Sequence, residues 1–156
     1  ECCFMEKKVY IAPGAHIIGD VQLAHNVSIW YNAVLRGDRG AILVGEGTNV
    51  QDNCVIHEGT TVGKGCSIGH SAILHGCTVG DDCVIGMGAI VLNGAVLADH
   101  CLVGAGAVVT GKMNAPAGSL ILGNPAKVVK ALTPEQIDYI HHDAEVYIRL
   151  AQESLA

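Results

Sequence analysis

Aliphatic side chains recur along this chain at every sixth position. Leu23, Ile29 and Leu35 open the series, and Val44, Val50, Ile56, Val62, Ile68 and Leu74 continue it. Val79, Ile85, Val91, Leu97, Val103 and Val109 complete it. The frame breaks twice, by three extra residues between Leu35 and Val44 and one fewer between Leu74 and Val79. A second slot supports the frame. Four residues after each aliphatic stands a small side chain, among them Ala33, Cys54, Thr60, Cys66, Ala72, Thr78, Cys83, Ala89 and Cys101.

A period of six matches neither an amphipathic helix nor an alternating strand. It fits a coil of short strands with a turn every six residues. Three such sides close an 18-residue triangular turn, and inward aliphatics one coil apart then stack at about 4.8 Å. The pattern predicts a parallel β-helix over about 11–111. A loop follows over 116–125, with Gly123-Asn124-Pro125 at its end. Thr133-Pro134-Glu135-Gln136 then marks a helix start: Thr133 and Gln136 form a capping box around a proline at the first helical position. Ile137, Ile140, Ala144, Tyr147, Ala151 and Leu155 follow at helical spacing. They predict a helix over about 134–154, its apolar stripe laid along one side of the prism. Residues 1–132 form the β-helix and its following loop. Residues 133–156 form the helix, as part of the same domain.

Composition narrows the class further. Half of the 156 residues are apolar and 15% are charged, which excludes a disordered chain. No apolar run reaches the roughly 18 residues of a membrane span. One Trp, four Tyr and one Phe leave the core to aliphatic and small side chains. The formal charge of −6, with no basic run, argues against a nucleic-acid partner. The seven cysteines are odd in number, and no signal-peptide pattern opens the chain, so a reducing cytoplasm is the expected compartment. Cys54, Cys66, Cys83 and Cys101 fall in the small inward slot, as core hydrophobes. Cys77 falls at the frame slip and takes no slot. Met5 reads as the natural start, and Cys2 and Cys3 receive no role.

Four positions after an aliphatic, where the frame favours glycine, instead carry Arg36, Gln51, His57 and His75. His57 and His75 are one coil apart, so they share a corner on adjacent rungs, roughly 5 Å apart at the backbone. Two imidazoles so placed can share a metal ion. A pair of hydrogen-bonded corners is the other reading. Arg36 joins their column one rung earlier once the insertion is counted. His70 sits in a neighbouring slot one coil after Asp52, so those two stack on each other. One chain therefore does not bring all three histidines onto one ion, but a neighbouring subunit can supply the third. Three histidines and an open position make a catalytic zinc arrangement. His16, His25, His100, His141 and His142 follow no such pattern and read as surface or helix residues.

The segments Arg36-Gly37-Asp38, Asn49-Val50-Gln51-Asp52-Asn53, His57, Gly69-His70 and His75-Gly76 resemble the γ-class carbonic anhydrases and their close homologues. Gly123-Asn124-Pro125-Ala126-Lys127 and the terminal helix match as well, so the resemblance covers nearly the whole chain; the former is shared with hexapeptide acyltransferases. The resemblance implies an all-β left-handed parallel β-helix, a triangular prism with the C-terminal α-helix packed along it. It implies a homotrimer with metal at its interfaces, bound by His57 and His75 of one chain and His70 of the next. Zn2+ is the default metal, and Fe2+ or Co2+ are its substitutes. Arg36 and Asp38 correspond to an interface salt-bridge pair, with the partner's Asp52 beside them. Gln51 corresponds to the residue that hydrogen-bonds metal-bound water.

The implied activity is the reversible hydration of carbon dioxide to bicarbonate by a metal-bound hydroxide, that of a carbonate dehydratase. Two positions depart from the family pattern. Only Glu58-Gly59-Thr60-Thr61 separates His57 from Val62, where some members carry a long acidic loop with a proton-shuttling glutamate. Glu58 is the one carboxylate there and the candidate substitute. Asp143 stands where the resemblance leads to asparagine. Two rival functions are an acyltransferase that uses an acyl coenzyme A, with a histidine as general base, and a non-catalytic metal-binding trimer.

Overall fold

The computed structural model describes residues 7–155. Met5, Cys2 and Cys3, to which the sequence reading assigned a start and no role, lie outside the described residues. The chain winds as a parallel β-solenoid of about six turns. Most strands are two or three residues long, and all of these but Tyr10–Ile11 bury one aliphatic side chain.

Three columns of inward side chains hold the coil. On the first face Ile29, Val50, Ile68, Ile85, Val103 and Ile121 pair rung to rung. Ile17, Leu35, Ile56, Leu74, Val91 and Val109 form the second. Leu23, Val44, Val62, Val79, Leu97 and Ala115 form the third. Nearly all of them are shielded from solvent, in one continuous core. Full burial of each Leu or Ile contributes about 1.5–3 kcal/mol. The second and third faces form one ten-stranded sheet, because the long strands His16–Leu23 and Val34–Val44 run round the corner between them.

Both frame breaks have a structural place. Val34–Val44 pairs Arg36 with His57 and then Leu43 with Thr61, so the three extra residues lie between those two pairings. The strand needs Gly37 there: a Cβ at that position would collide with the Asp20 carbonyl oxygen. The missing residue shortens one turn, so Thr61 pairs with Thr78 and Ser67 with Val84.

That deletion overturns one assignment. Cys77, not Thr78, fills the small inward slot; Cys77 is buried and Thr78 is exposed. Cys54, Cys66, Cys83 and Cys101 are buried as expected and all five are free thiols. Burial pushes the thiols of Cys54 and Cys77 up to about 11.

The coil also runs further than the expected end near 111. Ala115 and Ile121 keep the six-residue phase, and Ser119–Gly123 pairs in parallel with Leu102–Val103. Part of the expected loop is therefore strand. The chain then turns at Asn124-Pro125 and returns antiparallel as Ala126–Ala131.

The helix spans Pro134–Leu155. Its capping box is made as expected: the Thr133 N–H donates to Gln136 Oε1 (2.9 Å), and the Gln136 N–H donates to Thr133 Oγ1 (3.3 Å). It packs on the first face, against Tyr10–Ile11, Ser28–Ile29, Asn49–Val50 and Ser67–Ile68. Ile140, Ala144 and Ala151 are buried, and Tyr147 meets the Trp30 ring edge-on at 5.5 Å. Leu155, expected in the stripe, is 49% exposed because the stripe outlasts the face beneath it. No helix among the described residues is long and apolar enough to cross a membrane.

The columns predict a sharp contrast between neighbours. Ile56→Ala should cost about 2–5 kcal/mol, because the coil cannot collapse around the cavity. Val55→Ala, at a position 39% exposed, should cost about 0.5 kcal/mol or less. Urea unfolding of the two variants checks it.

Candidate metal centre

The parallel register sets Arg36, His57 and His75 side by side on three successive rungs. The His57 and His75 rings lie 5.2 Å apart between centroids and meet edge-on at 72°. Glu58 follows at a left-handed corner (φ 58°). One ligand atom from each of His57, Glu58 and His75 falls within 4.8 Å of the others. The corner is braced from below. Thr60 is fully buried; its hydroxyl donates to the His57 carbonyl (2.7 Å) and accepts from the Gly76 N–H (2.8 Å).

Each imidazole is oriented by a partner. His75 Nδ1 donates to Asn93 Oδ1 at 2.6 Å, which leaves Nε2 with its lone pair free. His57 Nε2 donates to Asp38 Oδ1 at 2.9 Å, and Arg36 Nη1 donates to Asp38 Oδ2 at 2.7 Å. The His57 contact first, and Arg36 after it, hold the Asp38 carboxyl below its ordinary range. The three extra residues of the second turn thus begin with the carboxylate that touches His57.

His70 lies apart from this group. Its Nδ1 is 2.9 Å from Asp52 Oδ2, one rung below it at a different corner. Gln51 is buried beside that corner, and its Nε2 donates to Asn49 Oδ1 at 3.0 Å. Asn49 in turn donates to Ser67 Oγ at 2.8 Å. A cleft of about 240 Å³ opens there between the first face and the helix, lined among others by Gln51, His70, Met87, Tyr139, Asp143 and Tyr147. One chain therefore gathers Arg36, Asp38, His57, Glu58 and His75 at one corner. It gathers Gln51, Asp52 and His70 at another.

Sequence reasoning missed several of these neighbours. Asn93 stands one coil after His75, a spacing that was available to be read. Met87, Tyr139 and Tyr147 reach the cleft through the docking of the helix and through a corner on the next rung, neither of which periodicity reports. His100 and His141, expected to be unconnected, come together with Asp82: the three offer ligand atoms within 4.8 Å of one another. His25 makes a surface contact, its Nδ1 accepting from the Lys8 N–H at 3.1 Å.

The chain is 48% identical, over 95% of its length and 96% of the relative's, to "Probable carbonic anhydrase" of Methanocaldococcus jannaschii. It is 46% identical over 95% of its length to "Gamma carbonic anhydrase 2, mitochondrial" of Arabidopsis thaliana, of which it spans 57%. The chain belongs to the γ-class carbonic anhydrase family. A family profile described as "GMPPB C-terminal domain" matches residues 39–144, within the coil and helix that this γ-class chain shares with other hexapeptide-repeat proteins. A solved "hexapeptide transferase family protein" from Anaplasma phagocytophilum superposes with a TM-score of 0.84 at 45% identity, over 93% of this chain and 92% of that one. The solenoid of this γ-class carbonic anhydrase chain is accordingly the left-handed β-helix of those proteins.

Tyr147 gives the cleft a measurable signature. Burial first, then the nearby Asp143 and Asp52 charges, push its phenol up to about 12. The folded pKa lies above the ordinary value of roughly 10, so this contribution to stability is complete below pH ~10 and fades as pH rises through the folded value. Ultraviolet difference titration should show one tyrosine ionising near 12, and Tyr147→Phe should remove that step.

Proposed function

We propose that this γ-class chain is a carbonic anhydrase-like lyase that interconverts carbon dioxide and bicarbonate. In this reading a divalent metal, zinc by default with iron or cobalt as substitutes, is held in a homotrimer. His57 and His75 of one subunit bind it together with His70 of a neighbour. The observation that carries the reading is the stacked pair His57 and His75, with the Glu58 carboxylate in reach and His70 at a separate corner. Two imidazole nitrogens and a third from elsewhere suit a borderline divalent ion. When bound, such an ion supplies Lewis acidity that brings the pKa of water towards neutrality.

The residues of the chain supply the rest. Asn93 Oδ1 accepts a hydrogen bond from the Nδ1–H of His75 and so presents Nε2 as the ligand atom. Arg36 offsets the charge of Asp38, which holds His57. Gln51 gives its amide N–H to Asn49, so its Oε1 is the acceptor left to orient water for attack on the carbon of carbon dioxide. Hydration releases one proton for each bicarbonate formed. Glu58 is the carboxylate beside the imidazoles and the relay by which that proton reaches solvent. The helix closes the far side of the cleft with Tyr147 and Asp143. Five buried free thiols agree with a reducing compartment such as the cytoplasm.

Two other readings have specific support. The likeness to the Anaplasma hexapeptide transferase family protein favours group transfer, and with it the acyltransferase alternative. The short Glu58-Gly59-Thr60-Thr61 stretch favours a metal-binding trimer without turnover. Metal content, stopped-flow hydration and coenzyme A binding measured on one sample separate all three. The lyase reading expects metal-dependent hydration that His57→Ala, His70→Ala and His75→Ala each abolish along with the metal they hold. Asn93→Ala should weaken that metal by about 10–100-fold. A fully metal-loaded protein without hydration overturns the reading, and coenzyme A binding by the metal-free protein transfers support to the acyltransferase.

A further inference from the structure

We propose that Asp82, His100 and His141 form a second site for a divalent transition metal, one that clips the C-terminal helix to a corner of the prism. The site is separate from the His57 and His75 corner and does not rest on the function proposed above.

The three residues arrive from distant points of the sequence. Asp82 and His100 are one coil apart on adjacent rungs, tied by the His100 N–H donating to the Asp81 carbonyl (2.9 Å). Both lie in the left-handed backbone region, with φ of 52° and 58°. On the rungs around them the same corner is occupied by Gly47, Gly65 and Gly118, with φ of 71°, 64° and 72°. A corner that elsewhere takes glycine thus carries two metal-ligating side chains in succession. His141 reaches them from the second turn of the helix.

The distances separate this cluster from an ordinary histidine–carboxylate pair. His100 Nε2 lies 3.6 Å from Asp82 Oδ2, and His141 Nδ1 lies 3.8 Å from Asp82 Oδ1. Neither is a hydrogen bond. By contrast, His57–Asp38 and His70–Asp52 both close to 2.9 Å. The rings of His100 and His141 meet edge-on with centroids 5.6 Å apart. The three donors therefore face one another without bonding, at a separation set by the backbone and the docked helix. Zinc bonds of 2.0–2.2 Å in a tetrahedron place ligand atoms roughly 3.3–3.5 Å apart; the two imidazole–carboxylate distances are within a few tenths of an ångström of that, and all three ligand atoms lie within 4.8 Å of one another.

Two further features fit an ion. Asp82, His100 and His141 side chains are 31%, 37% and 47% exposed, so an ion can enter and keep water as its fourth ligand. Gly65, one rung below, leaves the room the carboxylate uses, since a Cβ there would stand 2.5 Å from Asp82 Oδ1. Two imidazoles and one carboxylate select zinc, cobalt or nickel over calcium and magnesium, which prefer oxygen ligands.

Zinc is the probe, on the full chain, by equilibrium dialysis with metal analysis. A His75→Ala protein, with the other corner disabled, should still bind one zinc per chain. Adding His141→Ala or His100→Ala should weaken that zinc at least tenfold, whereas adding His142→Ala, on the neighbouring helix position, should leave it unchanged. Hydrogen exchange supplies the second readout: zinc should slow exchange across 134–155 in the His75→Ala protein and not once His141 is also replaced. His141→Ala alone should leave any hydration activity within about twofold of the starting protein. The proposal falls if the His75→Ala protein binds no zinc, or if His142→Ala weakens the zinc as much as His141→Ala does, the sign of loose surface chelation.

Discussion

The parallel ladder governs this molecule. Each rung donates its backbone hydrogen bonds to the next, and each inward aliphatic lies on its counterpart one coil away. The prism is narrow, so the positions two residues before those aliphatics must be small. Ala33, Cys54, Cys66, Ala72, Cys77 and Cys83 fill them, and a larger side chain there would overpack a core without room to relax. The same ladder fixes what the outside can do. Any two outward residues one coil apart become neighbours at strand spacing, whatever they are.

Both side-chain clusters follow from that rule, with one exception added to each. His57 and His75 are neighbours by register alone, and Arg36 joins them because the inserted residues fall after it. The insertion carries the exception, Asp38, which turns back to His57 and is itself held by Arg36. Asp82 and His100 are likewise neighbours by register. Their exception is His141, delivered by a helix whose position is set by Ile140, Leu120 and Leu132 packing a few residues away. In each cluster the rigid coil sets register-paired side chains together, and a less regular element brings one more to them.

This division explains what could be read in the sequence. The six-residue frame disclosed the coil, the inward columns, the His57–His75 pair and the Asp52–His70 pair, because all of them are consequences of one period. The errors sit where the period was handled too loosely. The single-residue deletion moved the small slot from Thr78 to Cys77. Ala115, small in an aliphatic column, hid the continuation to Ile121 and so the last parallel strand. Asn93 was legible by the same spacing that paired the histidines. The places of Tyr147, Asp143 and His141 were not, since helical periodicity tells which stripe is apolar but not which rung lies under each residue.

The fold leaves the chemistry open, because one coil serves families with and without metal. The donor set is what discriminates. A general base needs one imidazole with a free nitrogen aimed at an acceptor, and an oriented His75 held by Asn93 would meet that need alone. It gives no reason for a second imidazole packed edge-on at 5.2 Å, or for a carboxylate within reach of both. Ligand atoms from two imidazoles and a carboxylate, all within 4.8 Å of one another, are what a shared cation would use and a lone base would not. The His57–His75 corner therefore favours the proposed metal shell over a duplicated base. Under the proposed function, His70, away at the other corner beside Gln51, would complete a neighbour's shell rather than its own.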